Sequence, residues 1–352
     1  MPVLSQEVLS EKLEKVSSIL ILGWGLLGDV FMRVPLIEAI RKRFPQARIV
    51  VVVDPASVVV LQNHPDCDEV IPFSRAKRPW QSYIASTVRN LVALRRRKFD
   101  LLINLYCGGS SARFSRIINA GIRLSFDHTA ELRRANNVLA PCPSFSDNWT
   151  KALGSMLAPL GIEDSDIRRG TSFYCTSEAV EQAKSRLSGV SRPLAGFNLG
   201  AGAEEKRWPI ERFVKFAWTI HDRYGITPLV FTNPGMEHLA VEFTRQYEAH
   251  GEAIVVPLVS LDEVGALMLE CEYIVTTDTS LMHLAFGLRR PTLVLFTFTR
   301  PEMVAPEDVK FRYCFVESGS GEEYCGKPAG SIDISVEYAL EQFGKLVASM
   351  HE

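Results

Sequence analysis

Three stretches of this 352-residue chain carry residue types at spacings that can do chemistry. The first is "ILILGWGLLGDVF", Ile19 to Phe31, in which Gly23-x-Gly25-x-x-Gly28 is followed at once by Asp29. An apolar strand-like run that enters such a loop and then a helix is the dinucleotide fingerprint. Asp54, at the end of the next apolar run, stands where an acid would hold a ribose. On that reading the chain is a nicotinamide (NAD) dependent oxidoreductase. Asp29 argues the other way. At a helix start its carboxylate would repel a pyrophosphate, while the same helix N-terminus stabilises an ionised acid. Asp29 is then either a helix cap or a general base, and the sequence leaves both open.

The second stretch is "NLGAGAEEKRWPIERF", Asn198 to Phe213. Gly200 and Gly202 let backbone N–H groups approach phosphate oxygens, and Lys206 can neutralise them. The alternative is a surface turn over a packed Trp208. The third stretch is "YIVTTDTSLMHLAFGL", Tyr273 to Leu288, an apolar run that ends at Asp278 where a helix begins. The Thr279 and Ser280 hydroxyls and the first helical N–H groups can hold an anion or sugar hydroxyls. His283 lies one turn further on. A lone helical His is ordinarily a packed residue; beside Asp278 and Thr279 it becomes a site candidate.

Elements of one type must carry these residues. Continuous Val/Ile/Leu runs alternate with helical spacing throughout, as in "SILILGWG", "ARIVVVVD", "FDLLINLY", "TPLVFT", "YIVTTD" and "PTLVLF". Such runs suit strands of parallel sheets covered on both faces. The pattern predicts an α/β protein of two doubly wound, Rossmann-like domains, 1–175 and 176–352, with ligands at the carboxyl ends of the strands. One helix is expected over Val30 to Phe44. Ala130 to Phe145 reads as loop, residues 161–192 as the interdomain linker, and the last helix, Ile334 to Met350, as able to pack back on the first domain.

Composition narrows the function classes. With 47% hydrophobic and 23% charged residues, the chain is globular. Its net charge of −2 excludes a general polyanion binder. Yet Arg75 to Arg123 holds eleven Lys or Arg and one acid, Asp100. This is either an acceptor surface for an acidic partner or a solvated helix face. Seven cysteines without a C-x-x-C pair point to reduced thiols, a cytoplasmic chain and no structural zinc. No signal-peptide pattern or membrane-spanning run is evident. Asp66-x-Asp68 and Asp164-x-Asp166 read as loop acids, not metal ligands.

Taken together, these segments resemble the lipopolysaccharide heptosyltransferases of glycosyltransferase family 9, over nearly the whole chain. The resemblance rests on "LLGDV" with Pro35, on "RFPQARIVVVV" and "HPDCDEVIPF", on "NLGAGAEEKRWPIERF", and on "DTSLMHLA" with "PTLVLF". It implies a GT-B fold of two facing Rossmann-like domains, with no metal and no cofactor. It also implies ADP-heptose held by the second domain, an anionic lipopolysaccharide core acceptor on the first, and inversion at the transferred sugar. Asp29 then matches the family's base and Lys206 the lysine at the pyrophosphate. Gly200, Gly202, Asp278, Thr279, Ser280 and His283 fall in the donor segments, and Glu237 matches an acid at the nucleotide ribose. Gly28, Arg95, Arg96 and Arg97 fall to the acceptor, and a peripheral position on the inner face of the bacterial inner membrane follows. Ser280-Leu281 replaces the family's usual Gly-Pro, and Thr297-Phe298-Thr299 its usual Gly-Pro-Thr-like turn. A different nucleotide sugar is therefore the alternative donor.

Overall fold

The computed structural model describes residues 2–73, 80–106, 108–144, 148–202, 206–296, 299–306, 310–315, 323–324, 327–328 and 334–350. For 80–87, 323–324 and 327–328 it describes the backbone alone. The chain divides into two compact units, Met1–Thr171 and Ser172–Glu352.

In the first unit, strands β1 (Ser18–Leu22), β2 (Arg48–Val53), β3 (Glu69–Pro72), β4 (Lys98–Asn104), β5 (Asn119–Phe126) and β6 (Val138–Ala140) form one sheet. Its order is β3-β2-β1-β4-β5-β6, and every pairing is parallel. Ile21 pairs with Val51 on one side and Ile103 on the other. The apolar runs follow from this placement, since Ile19 to Leu22 and Ile49 to Val53 are fully buried. In the second unit, β7 (Leu194–Asn198), β8 (Thr227–Phe231), β9 (Ile254–Val256), β10 (Tyr273–Thr277), β11 (Thr292–Phe296) and β12 (Phe311–Phe315) repeat the plan. The order is β12-β11-β10-β7-β8-β9, again all parallel. Each sheet therefore reverses its winding once, between β1 and β4 and between β7 and β10. The carboxyl end of the strands at such a reversal is where open α/β sheets bind ligands.

Several expectations are corrected. The helix expected over Val30 to Phe44 is two, Leu27–Phe31 and Val34–Arg43. Pro35, in the first turn of the second, favours a fresh helix start. The segment read as loop contains the helix Ala130–Ala135, capped by Thr129, and edge strand β6. The segment read as linker contains the helix Ser177–Arg186, capped by Thr176, which packs on the helix Leu261–Leu269. Its buried positions are Ala179 and Ala183, too small to leave an apolar signal. The final helix, Val336–Ala348, stays in the second unit. Phe343 packs edge-on to Phe216 at 5.5 Å and to Tyr273 at 5.2 Å, with Val336, Ala339 and Leu346 in the same core.

Candidate active site

The glycine loop of the first unit leaves β1 at the point where its sheet reverses. Trp24, between the first two glycines, is buried and anchors the loop. Its ring meets Phe114 edge-on at 5.1 Å, Phe73 at 5.5 Å and Tyr106 at 5.8 Å. Two carboxylates take the loop's N–H groups. Asp54 Oδ2 accepts from Gly25 N at 2.9 Å, and Asp29 Oδ2 accepts from Leu26 N at 2.9 Å. Asp29 thus caps its own one-turn helix, which holds its side chain in one orientation, while Leu26 beside it is 81% exposed. Gly25 is required by close approach. A Cβ there would lie 2.6 Å from Arg33 Nη1 and 2.7 Å from Asp29 Oδ2. Arg33, 7% exposed, reaches back to Gly23 O at 3.3 Å. It is a component of this loop that the sequence reading missed. Gly28 lies inside the one-turn helix and its carbonyl accepts from Met32 N.

In the second unit four loops meet at the carboxyl edge of the sheet. Lys206 Nζ, from the loop after β7, donates to Asp278 Oδ2 at 2.5 Å at the end of β10. It also donates to Thr299 Oγ1 at 3.0 Å, after β11, and the Thr299 hydroxyl donates to Asp278. Buried Asn198, the last residue of β7, donates from Nδ2 to Thr276 Oγ1 and Thr279 Oγ1, each at 2.9 Å. Thr279 is the N-cap of the helix Ser280–Gly287, whose first N–H groups have no intrahelical acceptor. Lys206, Asp278, Thr279 and Ser280 are therefore brought together. Thr299 and Asn198 complete the cluster and were missed. A polar residue ending the apolar run "LAGFN" was the available signal for Asn198. His283 is 7% exposed and meets Phe286 edge-on at 6.2 Å, so it is packed inside its helix. Gly200 is demanded by packing, since a Cβ there would meet Met236 Sδ at 2.9 Å and Asn233 Cγ at 3.0 Å. Among the described residues, a Cβ at Gly202 would meet nothing within 4 Å. Trp208 is buried and donates to Ile334 O at 2.8 Å, a packing role.

Residues 88–324 match the model of glycosyltransferase family 9 (heptosyltransferase). The chain belongs to this family. It is 24% identical to lipopolysaccharide heptosyltransferase 3 of Escherichia coli over 280 residues, 77% of this chain and 81% of that one. Its fold is similar to that of a glycosyltransferase family 9 structure from Veillonella parvula, at a TM-score of 0.82 and 23% identity, covering 95% of this chain and 98% of that one. It is also similar to E. coli ADP-heptose lipopolysaccharide heptosyltransferase II, at a TM-score of 0.76 and 22% identity, covering 95% and 100%. The two parallel-sheet α/β domains are thus those of the GT-B heptosyltransferases.

Membership overturns the oxidoreductase alternative, and the geometry gives the reason. In this family 9 glycosyltransferase the N–H groups of Gly25 and Leu26 are already bound to carboxylates, and Asp54 holds the loop where a ribose would need it. The remaining sequence candidates divide. Arg95 and Arg96 are exposed, but Arg97 is committed to Glu69 through two hydrogen bonds of 2.9 Å. Arg123 is buried and donates to the carbonyls of Ser115 and Ile118, a structural role. Arg75, Lys77 and Arg78 lie outside the described residues, as do Thr297 and Phe298. Glu237 is exposed and accepts from Gly235 N at 3.0 Å. Its carboxyl is held below the ordinary range by its own backbone N–H and by that of Gly235. Of the D-x-D acids, Asp68 pairs with Arg41 at 2.6 Å, Asp164 with Arg169, and Asp166 accepts from Glu163 N. Among the described residues no three His, Cys, Asp or Glu side chains could together hold a metal ion. No helix among them is long and apolar enough to cross a membrane.

Proposed function

We propose that this enzyme transfers a heptose from ADP-heptose to a hydroxyl of an anionic lipopolysaccharide core, inverting the anomeric centre in one displacement. The observation that carries the reading is the Lys206–Asp278–Thr299 cluster at the sheet reversal of the second unit, in a chain of the heptosyltransferase family. A heptosyltransferase whose name includes ADP-heptose shares its fold, which supports the donor. Lys206 and the N–H groups of the Ser280 helix offer positive charge where a departing diphosphate needs it. Asp29, oriented by the Leu26 N–H, takes the proton of the acceptor hydroxyl as its oxygen attacks C1. The bond between C1 and the phosphate oxygen breaks, and ADP leaves with the electron pair. The reading assigns no step to a metal or cofactor. It places the acceptor against the first unit and the enzyme peripherally at the cytoplasmic face of the inner membrane.

Calorimetric titration with ADP-heptose, ADP, UDP, GDP and NADH tests the donor. ADP and ADP-heptose should bind, and Lys206→Ala should weaken both roughly 10- to 100-fold, the worth of one charge-assisted contact. Asp29→Asn should abolish transfer with donor affinity nearly unchanged. Full transfer by Asp29→Asn removes the general-base role. Ser280-Leu281 in place of the usual Gly-Pro favours a second reading, another nucleotide sugar on the same fold. Tighter binding of UDP or GDP than of ADP in the same titration would select it.

A further inference from the structure

The helix that carries Asp29 has five residues, Leu27–Phe31. One turn of helix does not hold itself together in water, so its position depends on what binds its ends. Its N-terminal end is held by Asp29 and Asp54. Along the turn the carbonyls of Leu26, Gly28 and Val30 accept from Val30, Met32 and Arg33. The next two carbonyls are taken by hydroxyls from far along the chain. Thr171 Oγ1 donates to Phe31 O at 2.8 Å, and Thr150 Oγ1 donates to Met32 O at 3.2 Å. Thr171 is 5% exposed, so this hydrogen bond is sheltered from competing water.

Thr171 is also the last residue of the first unit. The segment leading to it is strapped to the helix Val34–Arg43. Arg43 Nε donates to Leu160 O at 3.1 Å, Lys42 faces Asp166 at 3.5 Å, and Arg168 forks onto Glu38 at 2.9 and 3.2 Å. Two residues beyond Thr171, Phe173 N donates to Gly287 O at 3.3 Å. Gly287 ends the helix that begins at Ser280, and a Cβ on it would press on the Ser172–Phe173 backbone at 3.0 Å. Neighbouring residues of the unit boundary are therefore tied to the two helices that bear the candidate chemistry.

We propose that Thr171 is a positioning residue of the transfer reaction: its hydroxyl fixes the one-turn helix that aims Asp29. The proposal rests on Asp29 as the general base and adds a role for the unit boundary. A methyl in place of the hydroxyl keeps the volume and removes the hydrogen bond that Thr171 gives to the Phe31 carbonyl. The turn then loosens and Asp29 loses its aim, while the second unit keeps its donor site.

Thr171→Val should lower kcat about 10- to 100-fold, with KM for the sugar donor and the ADP Kd within about twofold of the parent. Thr171→Ser, which restores the hydroxyl, should recover most of kcat. Parental kcat in Thr171→Val overturns the proposal, and so does Thr171→Ser as impaired as Thr171→Val, because shape and not the hydrogen bond would then matter. Asp29→Asn is assayed in parallel. Full activity there removes the base reading whatever Thr171 does. An inactive Asp29→Asn beside an unimpaired Thr171→Val removes the positioning role alone. If a thermal melt shows Thr171→Val unfolded, Thr150→Val and Thr150→Ser, acting on the adjacent carbonyl, must show the same split or the proposal fails.

Discussion

On the proposed reading, Asp29 is both of the things its sequence position allows, helix cap and general base. Its Oδ2 caps the one-turn helix through Leu26 N, and that hydrogen bond orients the side chain. In the proposed mechanism, capping and proton transfer use this one geometry. Gly25 tests the argument, because its missing side chain is the space into which Asp29 and Arg33 pack. Gly25→Ala places a methyl within 2.7 Å of both. Asp29, on a one-turn helix, must yield. A shift of even 1 Å in a reacting group costs on the order of 100-fold in rate. We expect Gly25→Ala to lower kcat by about that factor while ADP binding, measured by calorimetry, stays within twofold. An equal loss in both would show that the two units do not divide donor and base between them.

At the scale of elements, Glu69 at the start of β3 has a structural duty that the basic stretch around it hides. It accepts two hydrogen bonds from Arg97, at the entry to β4, and one of 3.0 Å from Arg48, at the start of β2. The Arg97 guanidinium first, and Arg48 with it, hold the Glu69 carboxyl below its ordinary 4.5 despite partial burial. The sign follows from linkage: a depressed carboxyl pKa adds stability above 4.5, and that stability is lost as pH falls through the lower folded value. Glu69→Gln should therefore lower stability at pH 7 by up to about 1 kcal/mol, since the pair is partly open to solvent. The difference from the parent should shrink as pH falls below 4.5 and vanish below the lower folded value, as read by denaturant melts across pH. The same scale shows what sequence could reveal. Strands were legible because burial on both faces forces unbroken Val/Ile/Leu runs. Helices such as Ser177–Arg186, buried through two alanines, were not. Lys206 and Asp278 were legible because both sit in loops where an apolar strand stops. Thr299 and Thr171 were not, because each acts on a partner 21 to 140 residues away in sequence and carries no local pattern.

Over the whole molecule, near-neutral charge conceals an uneven distribution. The net charge is −2, yet the one stretch from Arg75 to Arg123 holds eleven cations against one acid. The structure sorts its described members. Arg97 is spent on Glu69, Arg123 on backbone carbonyls, and Arg89, Arg95, Arg96, Lys98, Arg113 and Arg116 are exposed. All belong to the first unit, which also contains Asp29. A phosphorylated acceptor would be drawn to the exposed group and would gain nothing from the committed pair. Long-range attraction of this kind acts on association and weakens with ionic strength. Reversal of Arg95 and Arg96 to Glu should therefore raise the acceptor KM several-fold and flatten its salt dependence, with kcat and the donor KM little changed. Arg97→Glu should instead place two acids face to face and lower the melting temperature. If reversal at 95 and 96 leaves the acceptor KM and its salt slope untouched, the exposed arginines are a solvated helix face, and the acceptor's charge must be met elsewhere on the first unit.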